Sequence, residues 1–203
     1  SRDLTNLPLL AALAETQIPI IISTGMGGKK ELDDAIQVIT KYHSKISILH
    51  CVSEYPTQPK NVNLNTISYL LNHYKQYVIG YSDHTIGIST PVAAIAMGAK
   101  IIEKHITLDR RMKGTDQKGS LGPDGVHRLI RDIRILDQSI GHEDIFIVQD
   151  TASSKEKLER SIASNKVLFA GQIIGEDDIH LLSPGDGFKW SEKDFVIGKK
   201  VKL

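Results

Sequence analysis

The sequence predicts an α/β protein, with four strand-and-helix units on a parallel sheet and a small β-rich module after them. Three observations lead there. Four short runs are continuously apolar rather than alternating, the pattern of strands buried on both faces. Helical periodicities lie between those runs, and regular alternation of strand and helix implies parallel pairing through right-handed crossovers. Beyond residue 141 the long periodic segments give way to short runs broken by Gly, Pro, Asn and Asp.

A helix is expected at residues 7–15, ahead of the first strand. The strand runs are residues 19–24 (PIIIST), 45–51 (KISILHC), 77–84 (YVIGYSDH) and 100–106 (KIIEKHI). After the first run, Leu32, Ala35, Ile36, Ile39 and Tyr42 form one core-facing helical stripe; after the second, Leu64, Ile67, Leu71 and Tyr74 do the same. Residues 88–97 make a shorter helix that tolerates Pro91 in its first turn and ends at Gly98. Residues 123–140 make the last one, with Val126, Leu129, Ile133, Leu136 and Ile140 inward and Gly141 as its stop.

Strand starts lie about 23 to 32 residues apart, the spacing of a (β/α)8 barrel unit, and eight such units take roughly 250 residues. Four units make half a barrel with two open apolar edges, which calls for a partner surface. The expected domains are therefore 1–148 for the half-barrel, 149–157 (QDTASSKEK) for a polar linker, and 158–203 for the β-rich module. The module's strand candidates are SIASNKVL, GQIIG, DDIHLLSPGDGF and VIGKKVKL, and its size implies support from something larger.

Composition excludes several function classes. Lys and Arg total 25 against 24 Asp and Glu, so a formal charge of +1 gives no field for gripping nucleic acid or an anionic membrane. No run approaches the roughly 18 apolar residues of a membrane span. The opening Ser-Arg-Asp-Leu-Thr lacks the basic stretch and apolar core of a secretory signal. A single cysteine, Cys51, excludes an internal disulfide framework and fits a reducing, cytoplasmic compartment. The chain opens on Ser1 and is expected to be a fragment of a longer protein.

In α/β barrels the site lies at the C-terminal ends of the strands. All four runs end polar here: Ser23-Thr24-Gly25; His50-Cys51-Val52-Ser53 with Tyr55 just beyond; Ser82-Asp83-His84; and Glu103-Lys104-His105. The first, at a strand-to-helix turn, can hold a phosphate or carboxylate, or simply cap the helix. His84 and His105 end consecutive strands and can bring two imidazoles to one divalent metal, or serve the packing alone. Asp116, in the loop KGTDQ, is a candidate ligand or base, the alternative being a solvated turn aspartate. Cys51 reads as a buried small residue. Lys29-Lys30, Arg110-Arg111 and Lys199-Lys200 read as solvated surface, with Arg110-Arg111 close to the mouth.

Taken together, STGM at 23–26, LHCVSEYPT at 49–57, NLNTI at 63–67, GYSDHTIG at 80–87, GAKIIEKHITLD at 98–109 and KGTDQKGSLGPD at 113–124 resemble the sialic acid synthase family. RSI at 160–162, GQIIGEDDI and SPGDGF at 183–188 resemble the antifreeze-like (SAF, β-clip) domain of that family. The resemblance implies the second half of a TIM barrel followed by an incomplete antifreeze-like domain. It implies condensation of phosphoenolpyruvate with N-acetylmannosamine or a related hexose, with release of phosphate and a need for Mn2+ or Mg2+. It assigns His84 and His105 as metal ligands and sets Ser1, Ser23 and Ser82 around the phosphoenolpyruvate. Ser53 and Tyr55 fall near the substrates, and Asp3 and Asp116 are the acidic residues near the reacting carbons, with Asp3, Tyr55 and Asp116 the catalytic set. The family's homodimer lays each antifreeze-like domain over the partner's barrel.

Three departures accompany the resemblance. Arg2 and Asp3 stand where Gly and Glu are common, Ser53 where some members have Asn, and Ser183 where an RPG arginine reaches the partner's site, with Lys189 a candidate substitute. The family's first four strands, which supply a catalytic glutamate and phosphoenolpyruvate-binding lysines, precede the part matched here, so the isolated fragment is expected to be inactive. Two alternatives stay open. One keeps the chemistry and takes a diacetamido-trideoxyhexose, as legionaminic or pseudaminic acid synthases do. The other is a noncatalytic half-barrel assembly subunit.

Overall fold

The computed structural model describes residues 1–202. It divides into two compact units, Ser1–Gly141 and a second that begins at His142. The first unit runs α1 (Leu7–Glu15), β1 (Ile20–Ser23), α2 (Lys29–Ile39), β2 (Ile46–Cys51), α3 (Pro59–Val62), α4 (Asn65–His73), β3 (Val78–Asp83), α5 (Ser89–Ala96), β4 (Ile101–Lys104) and α6 (Pro123–Ser139). Its strands form one parallel sheet in the order β1-β2-β3-β4, as the alternation of strand and helix requires.

Register and packing follow from the two-residue period of a strand. Ile22 pairs with Ile48, Ile48 with Ile79 and Tyr81 with Ile102, and these residues meet Leu10, Ala14, Leu32, Ala35, Ile39, Ile67, Leu70 and Ala94 from the helices in one core. The central strands β2 and β3 are buried almost along their length, whereas the edge strands are not: Ile21 of β1 is 57% exposed and Glu103 of β4 is exposed. The expectation of burial on both faces thus holds at the centre of the sheet and fails at its edges, where a strand has a neighbour on one side only.

Two helical stripes are shorter than the sequence suggests. α2 ends at Ile39, where the Thr40 hydroxyl donates to the Ile36 carbonyl, and Tyr42 beyond it is 39% exposed. α6 buries Leu129 but ends at Ser139 and leaves Ile140 52% exposed, so Ile140 is no core residue. The short α3 was not expected; Pro59 opens it and left-handed Asn63, at φ 48°, closes it. Among the described residues no helix is long and apolar enough to cross a membrane.

In the second unit, residues 149–157, read above as a polar linker, carry helical structure. A 3-10 turn, Gln149–Thr151, leads into α7 (Ala152–Leu158), because Lys, Glu and Leu favour a helix and no Gly or Pro interrupts it. The compact boundary also falls earlier, at Gly141 rather than 148. β5 (Ser161–Ser164) and β6 (Ile179–Leu182) pair antiparallel. The other two strand candidates reduce to a single bridge between Ile173 and Lys200, and Leu203 lies outside the described residues.

Candidate active site

Parallel pairing brings all four strand C-termini to one edge of the sheet, and the loops that follow carry the chemistry-bearing side chains. His84 directly follows β3, His105 directly follows β4, Tyr55 lies in the loop after β2, and Asp116 lies between β4 and α6. The His84 and His105 rings meet edge to face with centroids 5.0 Å apart. Tyr55 packs on both, at 4.2 Å from His84 and 5.7 Å from His105. Asp116 Oδ2 stands 3.4 Å from His105 Nδ1. These four residues, with Pro56, Asp83, Thr115 and Gly119, line one narrow cleft.

The loop that presents Asp116 is tied back on itself. Leu121 N–H donates to the His105 carbonyl and Thr107 N–H to the Leu121 carbonyl, both at 2.9 Å, while the Ser120 hydroxyl donates to the Asp116 carbonyl at 2.7 Å. The carboxylate is thereby held beside His105 by backbone contacts.

His84 is 8% exposed, and its Nδ1 lies 2.8 Å from the Val52 carbonyl. A carbonyl only accepts, so Nδ1 carries the proton and Nε2 keeps a lone pair for a cation or a proton. Cys51 Sγ lies 3.9 Å from the same Nδ1. Burial works to lower the His84 pKa, but the Cys51 thiol, the Val52 carbonyl and the Asp83 carboxylate outweigh it and hold it above the ordinary value. Burial likewise works to raise Cys51, and hydrogen bonds with His84, Ser1 and Ser82 turn the balance downward.

A second group of polar atoms gathers on the other side of Cys51. Ser1 Oγ lies 2.9 Å from Ser23 Oγ, accepts from Gly25 N–H at 3.1 Å and donates to Cys51 Sγ at 3.5 Å. Ser53 N–H donates to the Gly25 carbonyl at 3.2 Å, and Ser53 Oγ is buried without a hydrogen-bond partner. Gly25 has no room for a side chain, since a Cβ would stand 2.6 Å from Ser1 Oγ and 2.8 Å from Cys51 Sγ. A buried, unpartnered hydroxyl costs free energy unless something meets it, so Ser53 marks a place for a polar ligand atom.

The structure therefore unites Tyr55, His84, His105 and Asp116 in one cleft, and Ser1, Ser23 and Ser53 in a hydroxyl group linked to that cleft through Cys51. Asp3 does not line the histidine cleft; it lines a separate pocket with Ser1 and Ser23, and its half-exposed carboxylate accepts from Asn6 at 3.4 Å and pairs loosely with Arg2 at 3.8 Å. The Ser82 hydroxyl donates to Glu103 Oε1 at 2.6 Å. Ser183 and Lys189 lie in the second unit. There the Ser183 hydroxyl donates to the Leu158 carbonyl at 3.0 Å, and Lys189 donates to the Gly185 carbonyl at 2.7 Å and pairs with Glu159 at 3.0 Å.

The sequence reading passed over Cys51 as a link and over the buried pair Asp83 and Lys104. A signal for the pair was present: two opposite charges close consecutive apolar runs, and a charge at a buried strand end requires a partner. Among the described residues no group of three or more His, Cys, Asp and Glu is arranged around a common metal position.

Residues 1–144 match the model of the NeuB family. An N,N'-diacetyllegionaminic acid synthase of Legionella pneumophila is 34% identical over 208 residues, covering 100% of this chain and 58% of that protein. The N-acetylneuraminate-9-phosphate synthase of Homo sapiens is 33% identical over 203 residues, covering 99% of this chain and 56% of that one. Among solved structures, an N-acetylneuraminic acid (sialic acid) synthetase from Leptospira borgpetersenii superposes with a TM-score of 0.69 at 35% identity, covering 75% of this chain and 53% of the other. The chain spans about 60% of the length of the first curated relatives it matches.

Proposed function

The chain belongs to the NeuB family, and from that premise we propose that the protein condenses phosphoenolpyruvate with N-acetylmannosamine or a related N-acylated hexose. The product is a nine-carbon 2-keto sugar acid, and phosphate is released. The observation that carries this reading is the meeting of Tyr55, His84, His105 and Asp116 in one cleft at the strand C-termini, beside an underemployed hydroxyl group.

In this proposal His84 and His105 hold a divalent cation, Mn2+ or Mg2+, through ring nitrogens. The cation, when bound, makes the sugar's aldehyde carbon electrophilic. Ser1, Ser23 and Ser53, with the backbone around Gly25, take the phosphate and carboxylate of phosphoenolpyruvate; Ser82 donates to Glu103. C3 of phosphoenolpyruvate bonds to the aldehyde carbon as its C2–C3 double bond and the aldehyde C–O double bond open, which leaves C2 electrophilic, and the aldehyde oxygen takes up a proton from solvent to become a hydroxyl. Asp116 takes a proton from the water that then adds at C2, and phosphate leaves as the C–O bond to C2 breaks. Tyr55, packed on both rings, limits their movement and faces the entering substrate. Asp3 stands beside Ser1 and Ser23, on the phosphoenolpyruvate side of this scheme.

Phosphate release by the full-length enzyme is expected to require phosphoenolpyruvate, an acylated hexosamine and a divalent cation together, and Asp116→Asn is expected to lower kcat by about 100-fold or more. No release with any acylated hexosamine would sink the reading. The L. pneumophila relative supports a second sugar, a diacetamido-trideoxyhexose, alongside the first. Comparison of kcat/KM for the two aldehydes separates them.

A further inference from the structure

Asp83 and Lys104 sit immediately before the two histidines, and the chemistry proposed above does not use them. They are direct partners in the register of β3 and β4, and their side chains are 0% and 5% exposed. Lys104 Nζ donates to Asp83 Oδ2 at 2.7 Å and also to the Thr85 carbonyl. Asp83 Oδ1 accepts from the Tyr81 hydroxyl at 3.0 Å and from Thr85 N–H at 2.8 Å. One ammonium therefore grips both residues that flank His84, and it does so from the residue that precedes His105.

Such a pair is a poor source of stability. Removing two charges from water costs about what their attraction returns, and apolar residues of equal volume commonly serve as well. A hydrogen-bonded ion pair has direction, however, and apolar contact has none. The Asp83 carboxylate bridges over His84 to the Thr85 amide and fixes the backbone that aims the His84 ring. Lys104 ties that bridge to β4, one residue before His105. The two imidazoles thus take their separation from a strap between the strands.

We infer that Asp83 and Lys104 are positioning residues that hold His84 and His105 at the spacing at which both rings meet one divalent cation. The inference rests on the reading of those histidines as cation ligands. Outer partners of this kind commonly account for 10- to 100-fold in metal affinity.

Lys104→Met alone strands a buried carboxylate and destabilises the chain strongly, so the deciding variant is Asp83→Asn/Lys104→Met, which removes both charges together. Melting temperature establishes that it folds. Calorimetric titration of the full chain with Mn2+ alone is expected to give roughly 10- to 100-fold weaker binding than the wild type. The ring 15N shifts of His84 are expected to pass from a single Nδ1–H tautomer to an averaged value. A folded double variant with wild-type Mn2+ affinity overturns the inference. Should the wild type itself bind no Mn2+, the cation reading falls. The ring shifts then decide the strap by themselves: averaging supports it, and an unchanged locked tautomer overturns it.

Discussion

His50, 4% exposed on β2, carries a pH dependence of its own. Its Nε2 donates to the Val62 carbonyl at 2.7 Å and its ring stacks on Tyr81. Burial depresses its pKa below the ordinary 6.5, and the Val62 hydrogen bond offsets this only in part. In the unfolded chain it protonates near its ordinary value; in the folded protein it resists protonation. Its stabilising contribution is therefore complete above about pH 6.5 and is lost as pH falls toward the depressed folded value. The melting temperature of His50→Gln is expected to fall less steeply than that of the wild type between pH 7.5 and 5.5. Parallel slopes would remove the assignment. His50 was legible in the sequence only as one polar letter at a strand end; its neutrality comes from burial, and the partner that satisfies its ring, Val62, lies twelve residues on and is brought close by α3. Cys51 shows the same limit, since its contacts with Ser1 and His84 come from segments far apart in sequence.

Among the elements, the strands and the longer helices of the first unit were legible because hydrophobic period is a local property. What failed were ends and edges. Ile140 keeps the α6 spacing yet faces solvent, since a period continues past the point where a partner surface stops. Residues 149–157 read as linker by polarity, and polarity does not distinguish a solvated helix from a loop. Gly98, by contrast, was read correctly as the end of α5, and the reason is conformational: it has φ +104°, which a side chain opposes, and a Cβ would also stand 2.9 Å from Leu71 Cδ1. Gly98→Ala is expected to cost about 1 kcal/mol or more in urea unfolding. An unchanged unfolding midpoint would contradict this account of the helix stop.

For the whole molecule, the four-stranded sheet ends in apolar surface on both sides. Ile18 and Ile21 near β1 are 65% and 57% exposed, and Ile106 and Ile130 near β4 and α6 are 71% and 55% exposed. Unpaired strand edges with apolar side chains are templates for association. The 203-residue chain by itself is expected to self-associate at micromolar concentration in light scattering, and Ile21→Lys/Ile106→Lys is expected to lower its apparent mass. A wild-type chain that stays monomeric at about 100 μM would refute this. The sequence by itself determined the class: parallel α/β, from alternating periods, with polar residues at every strand end, because those signals are carried by neighbours along the chain. Tertiary structure alone decided which of those polar residues share a site. Strand register set Asp83 against Lys104, loop closure brought Asp116 to His105, and the same geometry put Asp3 beside Ser1 and Ser23 rather than in the histidine cleft. Contacts between distant segments depend on how strands pair and loops close, and no local pattern of residues encodes those distances.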